Sequence, residues 1–225
     1  VARIVEHVAR EVRPGQTERA IAGRVASDLI AAGYFPAVLL VGADWRVERY
    51  RHPLPTLNRV EKYCMIVVCA HRGGLTAALT RSVHIGEPSR ELSRRHRAAA
   101  HICAVMNCRT RAGARWADVM EAMEEEYRAQ GFEDEWRNHH QGGPIGYQDR
   151  EFFVTPAEVS DCDFGVIRPF QAVAWNPSVP GAKSEDSLLV TDVGPEIATF
   201  GAGWWPMIDI EVEGATVQRP DVLII

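Results

Sequence analysis

No apolar run in the 225-residue chain approaches the roughly 18 residues a membrane-spanning helix needs, and no basic start followed by an apolar stretch marks a signal peptide. An excess of positive charge is missing as well. Lys and Arg number 25 against 30 Asp and Glu, for a formal charge of −5. That balance excludes a nucleic-acid binder, whose affinity rests on a basic surface neutralising phosphates. Cysteine is scarce: Cys64, Cys69, Cys103, Cys108 and Cys162 are odd in number and lack CxxC spacing. Neither a disulfide framework nor a zinc site is therefore expected, and the thiols read as reduced and mostly in the core. Gly73-Gly74 and Gly142-Gly143 are isolated doublets without the strand, GxGxxG and helix context of nucleotide binding. What remains, 46% hydrophobic and 24% charged, suffices for one substantial core and reads as a cytoplasmic globular protein. Val1 falls inside a helical pattern without an initiator Met, so a preceding N-terminal domain is expected to be absent from this chain.

An internal near-repeat organises the chain. Gly15 opens a helical segment that stops at Gly33, and Gly113 opens another that stops at Gly131, each pair 18 residues apart. Ile21, Val25 and Leu29 in the first, and Trp116, Met120, Met123 and Tyr127 in the second, recur at the spacing of one buried helical face. Thr17 is an N-cap candidate, and the two later glycines are C-terminal stops. Each unit follows a further helix, Val1–Arg13 or Ser89–Asn107. Each precedes β-rich sequence, Met65–Ala70 with Leu75–His84, then Phe170–Trp175 with Ser187–Thr191. The pattern predicts an α+β fold of two helix-helix-sheet halves over a shared sheet, with a groove between them, spanning residues 1–200. Residues 201–225 alternate polar and apolar from Met207 to Glu213 and predict a C-terminal β-ribbon packed on the same domain.

Five motifs in order carry a family resemblance. They are Pro14-Gly15-Gln16-Thr17-Glu18, Arg49–Thr56 (RYRHPLPT), Leu79-Thr80-Arg81, His139–Gly146 (HHQGGPIG) and Lys183–Thr191 (KSEDSLLVT). Together they resemble the pita-bread family of creatinase, Xaa-Pro peptidases and methionine aminopeptidases, whose enzymes hold two metal ions with two Asp, one His and two Glu. The resemblance places those five ligands on Val67, Ala78, Gly143, Asn176 and Glu185, so only the last is kept. No acidic residue occurs anywhere in Lys62–Thr80. It places the substrate-strand His on Tyr50, with His52 two residues on, and the later His-Glu pair on Arg150-Glu151. The family likeness thus implies a divergent pita-bread member without the normal two-metal centre.

The polar residues left in the groove motifs suggest a site for a small molecule rather than decay, because an unpaired buried polar group costs about 1–3 kcal/mol. His139 or His140 is the expected general base, since imidazole titrates near neutrality, with His52 as the second choice. Creatinase is the family precedent for metal-free hydrolysis, and it implies that Glu185 binds a cationic or NH-rich substrate group. Tyr50, His52, Arg81, Tyr147, Arg150, Asn176 and Lys183 are expected to bind substrate. Arg81 and Arg150 suit a bidentate carboxylate clamp, or else structural ion pairs with Asp186 or Glu151. Three functions stay open: a metal-independent hydrolase of a C–N bond with no cofactor, a catalytically silent binding domain, and a metal-dependent Xaa-Pro aminopeptidase. A homodimer is implied by the resemblance alone.

Overall fold

The computed structural model describes residues 1–157 and 163–225. Cys162 therefore lies outside the described residues. The first half comprises α1 (Ala2–Arg10), α2 (Glu18–Ala31), β1 (Phe35–Ala43), α3 (Trp45–Arg49), β2 (Tyr63–Arg72) and β3 (Leu75–His84). The second comprises α4 (Arg90–Arg109), α5 (Trp116–Ala129), a 3-10 turn (Glu135–Asn138), β4 (Gly142–Ile145), β5 (Ala172–Trp175), β6 (Ser178–Val179), β7 (Ala182–Lys183), β8 (Asp186–Thr191) and β9 (Gly194–Ile197). The chain closes with β10 (Met207–Val212), β11 (Ala215–Pro220) and β12 (Leu223–Ile224). This is the mixed helix-and-sheet, pita-bread fold.

The near-repeat is a repeat of backbone geometry. Thr17 Oγ1 accepts from Ala20 N at 3.1 Å and caps α2. The helix stops where Gly33 takes φ 79°, which lets Tyr34 N donate back to Leu29 O at 2.9 Å. α5 stops identically, with Gly131 at φ 78° and Phe132 N on Tyr127 O at 2.8 Å. A side chain in this left-handed region strains the backbone, hence glycine at both stops. The buried faces are those the periodicity predicts: Ile21, Val25 and Leu29 enter one core with α1 and β1 to β3, and Trp116, Met120, Met123 and Tyr127 enter a second with α4, β5 and β8.

Three elements differ from the sequence reading. The expected shared sheet is two four-stranded sheets, β1-β2-β3-β12 and β4-β5-β8-β9. They are stitched between β3 and β8, where Ser187 Oγ bonds Ala78 N and O at 2.7 and 2.9 Å and Thr80 N donates to the Glu185 carbonyl at 3.0 Å. β1, which the sequence reading lacked, pairs antiparallel with β2. Arg49–Thr56 is not a strand: Arg49 ends α3, and Pro53 and Pro55 have no N–H to give a ladder.

The C-terminal ribbon forms as expected, β10 pairing with β11 from Met207↔Pro220 to Val212↔Ala215. Its Ile210 and Val212 pack on Ala100 and Ala104 of α4. β12 then runs parallel to β3 at Val83 and His84. Of the tryptophan pair before the ribbon, Trp205 enters the first core, while Trp204 stays at the surface beneath the Arg10 guanidinium.

Candidate functional site

A cavity of about 500 Å³ opens between the halves. Its apolar wall is Val38, Leu40, Val67 and Cys69, from β1 and β2. Its polar wall is His52, His140, Gln148, Asp149, Arg150, Asn176, Lys183 and Glu185, with Phe153 beside them.

The loop bearing His52 is set by a buried carboxylate on the opposite helix. Glu18, fully buried at the start of α2, accepts from Ala43 N (2.9 Å), Thr56 N (2.8 Å) and Thr56 Oγ1 (2.7 Å), and pairs with Arg46. Four donors around one carboxylate clamp both ends of the segment in which His52 lies. Across the cavity, the ring nitrogens His52 Nε2 and His139 Nε2 are 3.1 Å apart. The His139 and His140 rings stack at 4.5 Å, and His140 also meets Phe153 at 4.6 Å.

Lys183, on the short strand β7, is buried, and its Nζ lies 3.1 Å from both the Arg51 carbonyl and His139 Nε2. Burial lowers its ammonium pKa to about 8, with Glu185 opposing the shift and Arg150 adding to it. The imidazoles are pushed the same way. Burial first, then the neighbouring Arg150, holds His140 down to about 3. His139 falls further, through burial and then Lys183, and His52 is also lowered. All three rings are therefore neutral near pH 7.

Glu185 lines the cavity with each of its oxygens already accepting one hydrogen bond. Thr80 Oγ1 donates to its Oε2 at 2.8 Å, and Arg150 Nη2 donates to its Oε1 at 3.0 Å. Arg150 thus pairs with Glu185 rather than Glu151. Asn176 differs: its Oδ1 is buried without a hydrogen-bond partner at the cavity wall, an acceptor ready for an N–H.

Of the residues expected to bind substrate, His52, Arg150, Asn176 and Lys183 line the cavity together with His140 and Glu185, and His139 sits directly behind, between Lys183 and His52. Three do not join them. Arg81 is buried in ion pairs with Glu6 (3.3 Å) and Asp186 (3.0 Å), the structural pairing that was its alternative. Tyr50 projects outward under the Arg46 guanidinium, because α3 ends there instead of a strand. Tyr147 is 78% exposed, its ring beside Gly74 in the β2–β3 turn. The sequence reading missed Val38 and Leu40 for want of β1, and Gln148, Asp149 and Phe153 for want of any motif; Asp149 pairs with His71 of β2. Cys69 faces the cavity, but burial and then Glu185 push its thiol up to about 12, which disqualifies it as a nucleophile.

The donor set does not fit a pair of divalent ions at the five family positions. Val67 and Ala78 are buried among apolar side chains. At Gly143 a Cβ would stand 2.4 Å from the Phe152 carbonyl, so this backbone leaves no room for a histidine there. Asn176 offers a neutral carbonyl, and Glu185 has both oxygens engaged. Among the described residues lining the cavity, the one other carboxylate, Asp149, is held by His71. Two hard or borderline ions sharing a water need several charged oxygens, which this wall lacks.

A family model described as metallopeptidase family M24 matches residues 1–192. No match was found among curated protein sequences. Among solved structures, the dipeptidase PepE from Mycobacterium ulcerans superposes with a TM-score of 0.78 at 18% identity, over 99% of this chain and 56% of that one. The X-Pro aminopeptidase from Thermotoga maritima gives 0.76 at 18%, over 99% and 59%. Methionine aminopeptidase from Rickettsia prowazekii gives 0.69 at 13%, over 88% and 92%. The chain thus spans somewhat over half the length of the dipeptidase and the X-Pro aminopeptidase.

Proposed function

Since the chain belongs to metallopeptidase family M24, whose ligand positions it has largely vacated, we propose that it is a peptidase-like hydrolase that cleaves a C–N bond of a small carboxylated nitrogen compound without a two-metal centre. One observation carries the reading: Glu185, the single ligand residue that the resemblance retains, is paired with Arg150 and accepts from Thr80. Lys183, whose ammonium has no carboxylate bonded to it, offers a cation to a substrate carboxylate. Asn176 Oδ1 accepts a substrate N–H. His140, the stacked ring that reaches the cavity, takes a proton from the attacking water and returns it to the leaving nitrogen, with His139 behind it. A bound carboxylate offsets the Lys183 cation and raises the basicity of the ring toward the useful range. Phe153 and the apolar wall exclude bulk water.

A second reading is a binding domain that has lost catalysis, favoured by the locking of Glu185 and the low basicity of the empty site's imidazoles. An assay on N-acyl, ureido and guanidino carboxylic acids, with and without chelator, separates the readings. The hydrolase turns one over in chelator, and His140→Asn lowers the rate at least about 100-fold. Thermal stabilisation without turnover leaves the binding domain. Turnover that appears only with added manganese or cobalt, and is lost in Glu185→Gln, overturns both in favour of a metal-dependent aminopeptidase.

A further inference from the structure

We propose that His52, His139 and His140 form a binding site for a single divalent transition-metal ion, clasped between the two halves of the molecule. One ring nitrogen from each lies within 4.8 Å of the others. In a tetrahedral site with metal–nitrogen bonds of about 2.0–2.1 Å, ligand nitrogens are roughly 3.3 Å apart. His52 Nε2 and His139 Nε2, at 3.1 Å, already have that spacing. His140, next to His139 in the chain, offers the third nitrogen within 4.8 Å of the other two.

A second observation points to a ligand. His140 Nδ1 is buried and without a hydrogen-bond partner. A buried imidazole normally has its nitrogens engaged, since each unpaired one costs free energy. The open side of the cluster is the cavity, through which His52 and His140 reach solvent and which leaves a coordination position for water or a ligand atom.

The surroundings select the kind of ion. Lys183 Nζ, 3.1 Å from His139 Nε2, must give up that contact to the ion, and Arg51 and Arg150 stand close by, so the cluster offers no net negative charge to hold magnesium or calcium. Three neutral nitrogens suit zinc, nickel or copper, whose affinity rests on donation from imidazole. The site is separate from the family's ligand positions, sharing none of Val67, Ala78, Gly143, Asn176 and Glu185. His52 comes from the first half, and His139 and His140 from the second, so the ion ties the halves together as the Arg51–Glu135 pair does.

The inference stands whether or not the pocket hydrolyses anything. An ion here would take the lone pair that the proposed base needs, and so inhibit a metal-free hydrolase. The test is equilibrium dialysis and melting of the chelator-stripped chain against zinc, nickel and magnesium chlorides. One zinc or nickel ion per chain is expected, with a raised melting temperature and no response to magnesium. His52→Asn and His140→Asn, one at the surface and one at the cavity wall, should each weaken binding at least tenfold. Absence of stoichiometric binding, binding undiminished in both histidine variants, or two ions lost in Glu185→Gln would overturn the proposal.

Discussion

At the residue scale the site is governed by burial acting on bases. His140 titrates at about 3 when folded against an ordinary value of 6.5. Below 6.5 the unfolded chain binds the proton that the folded one refuses, so folding stability falls as pH drops from 6.5 toward 3. In chelator-treated protein this group contributes a slope of up to about 1.4 kcal/mol per pH unit, once well below 6.5. Urea denaturation between pH 7 and 5 should show that loss added to that from His139 and His52, and His140→Gln should make the slope shallower without abolishing it; an unchanged slope would assign the acid sensitivity elsewhere. Lys183 works in the same direction at higher pH. Its folded value of about 8 lies below the ordinary 10.5, so its contribution to stability improves as pH rises across that window. Residue identity made histidines, Lys183 and Arg150 visible as candidates in the sequence. It could not separate Arg81 from Arg150, because both arginines sit in motifs and only the packing sends one to Asp186 and the other to Glu185.

At the element scale the helices were legible and the first strand was not. α2 and α5 carry their own signals: apolar periodicity, glycine stops, and for α2 a side-chain cap. Thr17→Ala removes the acceptor for Ala20 N and should cost about 1 kcal/mol, read as a lowered urea midpoint with an unchanged denaturant slope. Restoration by Thr17→Ser would tie the loss to the hydroxyl. β1, in contrast, is a short apolar run, FPAVLLVGA, with a proline near its start and no clean alternation. Such a run becomes a strand when β2 supplies its ladder. The expected strand at Arg49–Thr56 fails for the complementary reason: its prolines and the clamp of Glu18 on Thr56 give the backbone other commitments.

At the scale of the whole molecule, a buried charge network spans both halves and the C-terminal ribbon. Asp186 of β8 receives Arg81 of β3 at 3.0 Å, Arg219 of β11 at 2.8 Å and the Thr199 hydroxyl at 2.7 Å, while Arg81 also reaches Glu6 of α1. All four charged side chains are essentially inaccessible. Removing the central acceptor leaves the buried Arg219 guanidinium without a carboxylate and Arg81 with Glu6 alone. Asp186→Ala should therefore destabilise by about 3–5 kcal/mol in chemical denaturation. Because the network crosses the β3–β8 seam, near-UV and far-UV signals should be lost together; separate transitions would mean that the halves fold independently.

The sequence by itself determined the helices, the repeat, the ribbon and the family fold. Each of those is written in local spacing or in which residue stands at a motif position. Only the tertiary structure decided that the sheet is two sheets, that Glu185 bonds Thr80 and Arg150, that Arg81, Tyr50 and Tyr147 stand outside the cavity, and that three imidazoles meet at its wall. Those outcomes depend on contacts between residues far apart in the chain, such as His52 with His139 and Thr80 with Glu185. Hydrogen-bond partners and desolvation, which set what a side chain can do, come into being only when such segments pack.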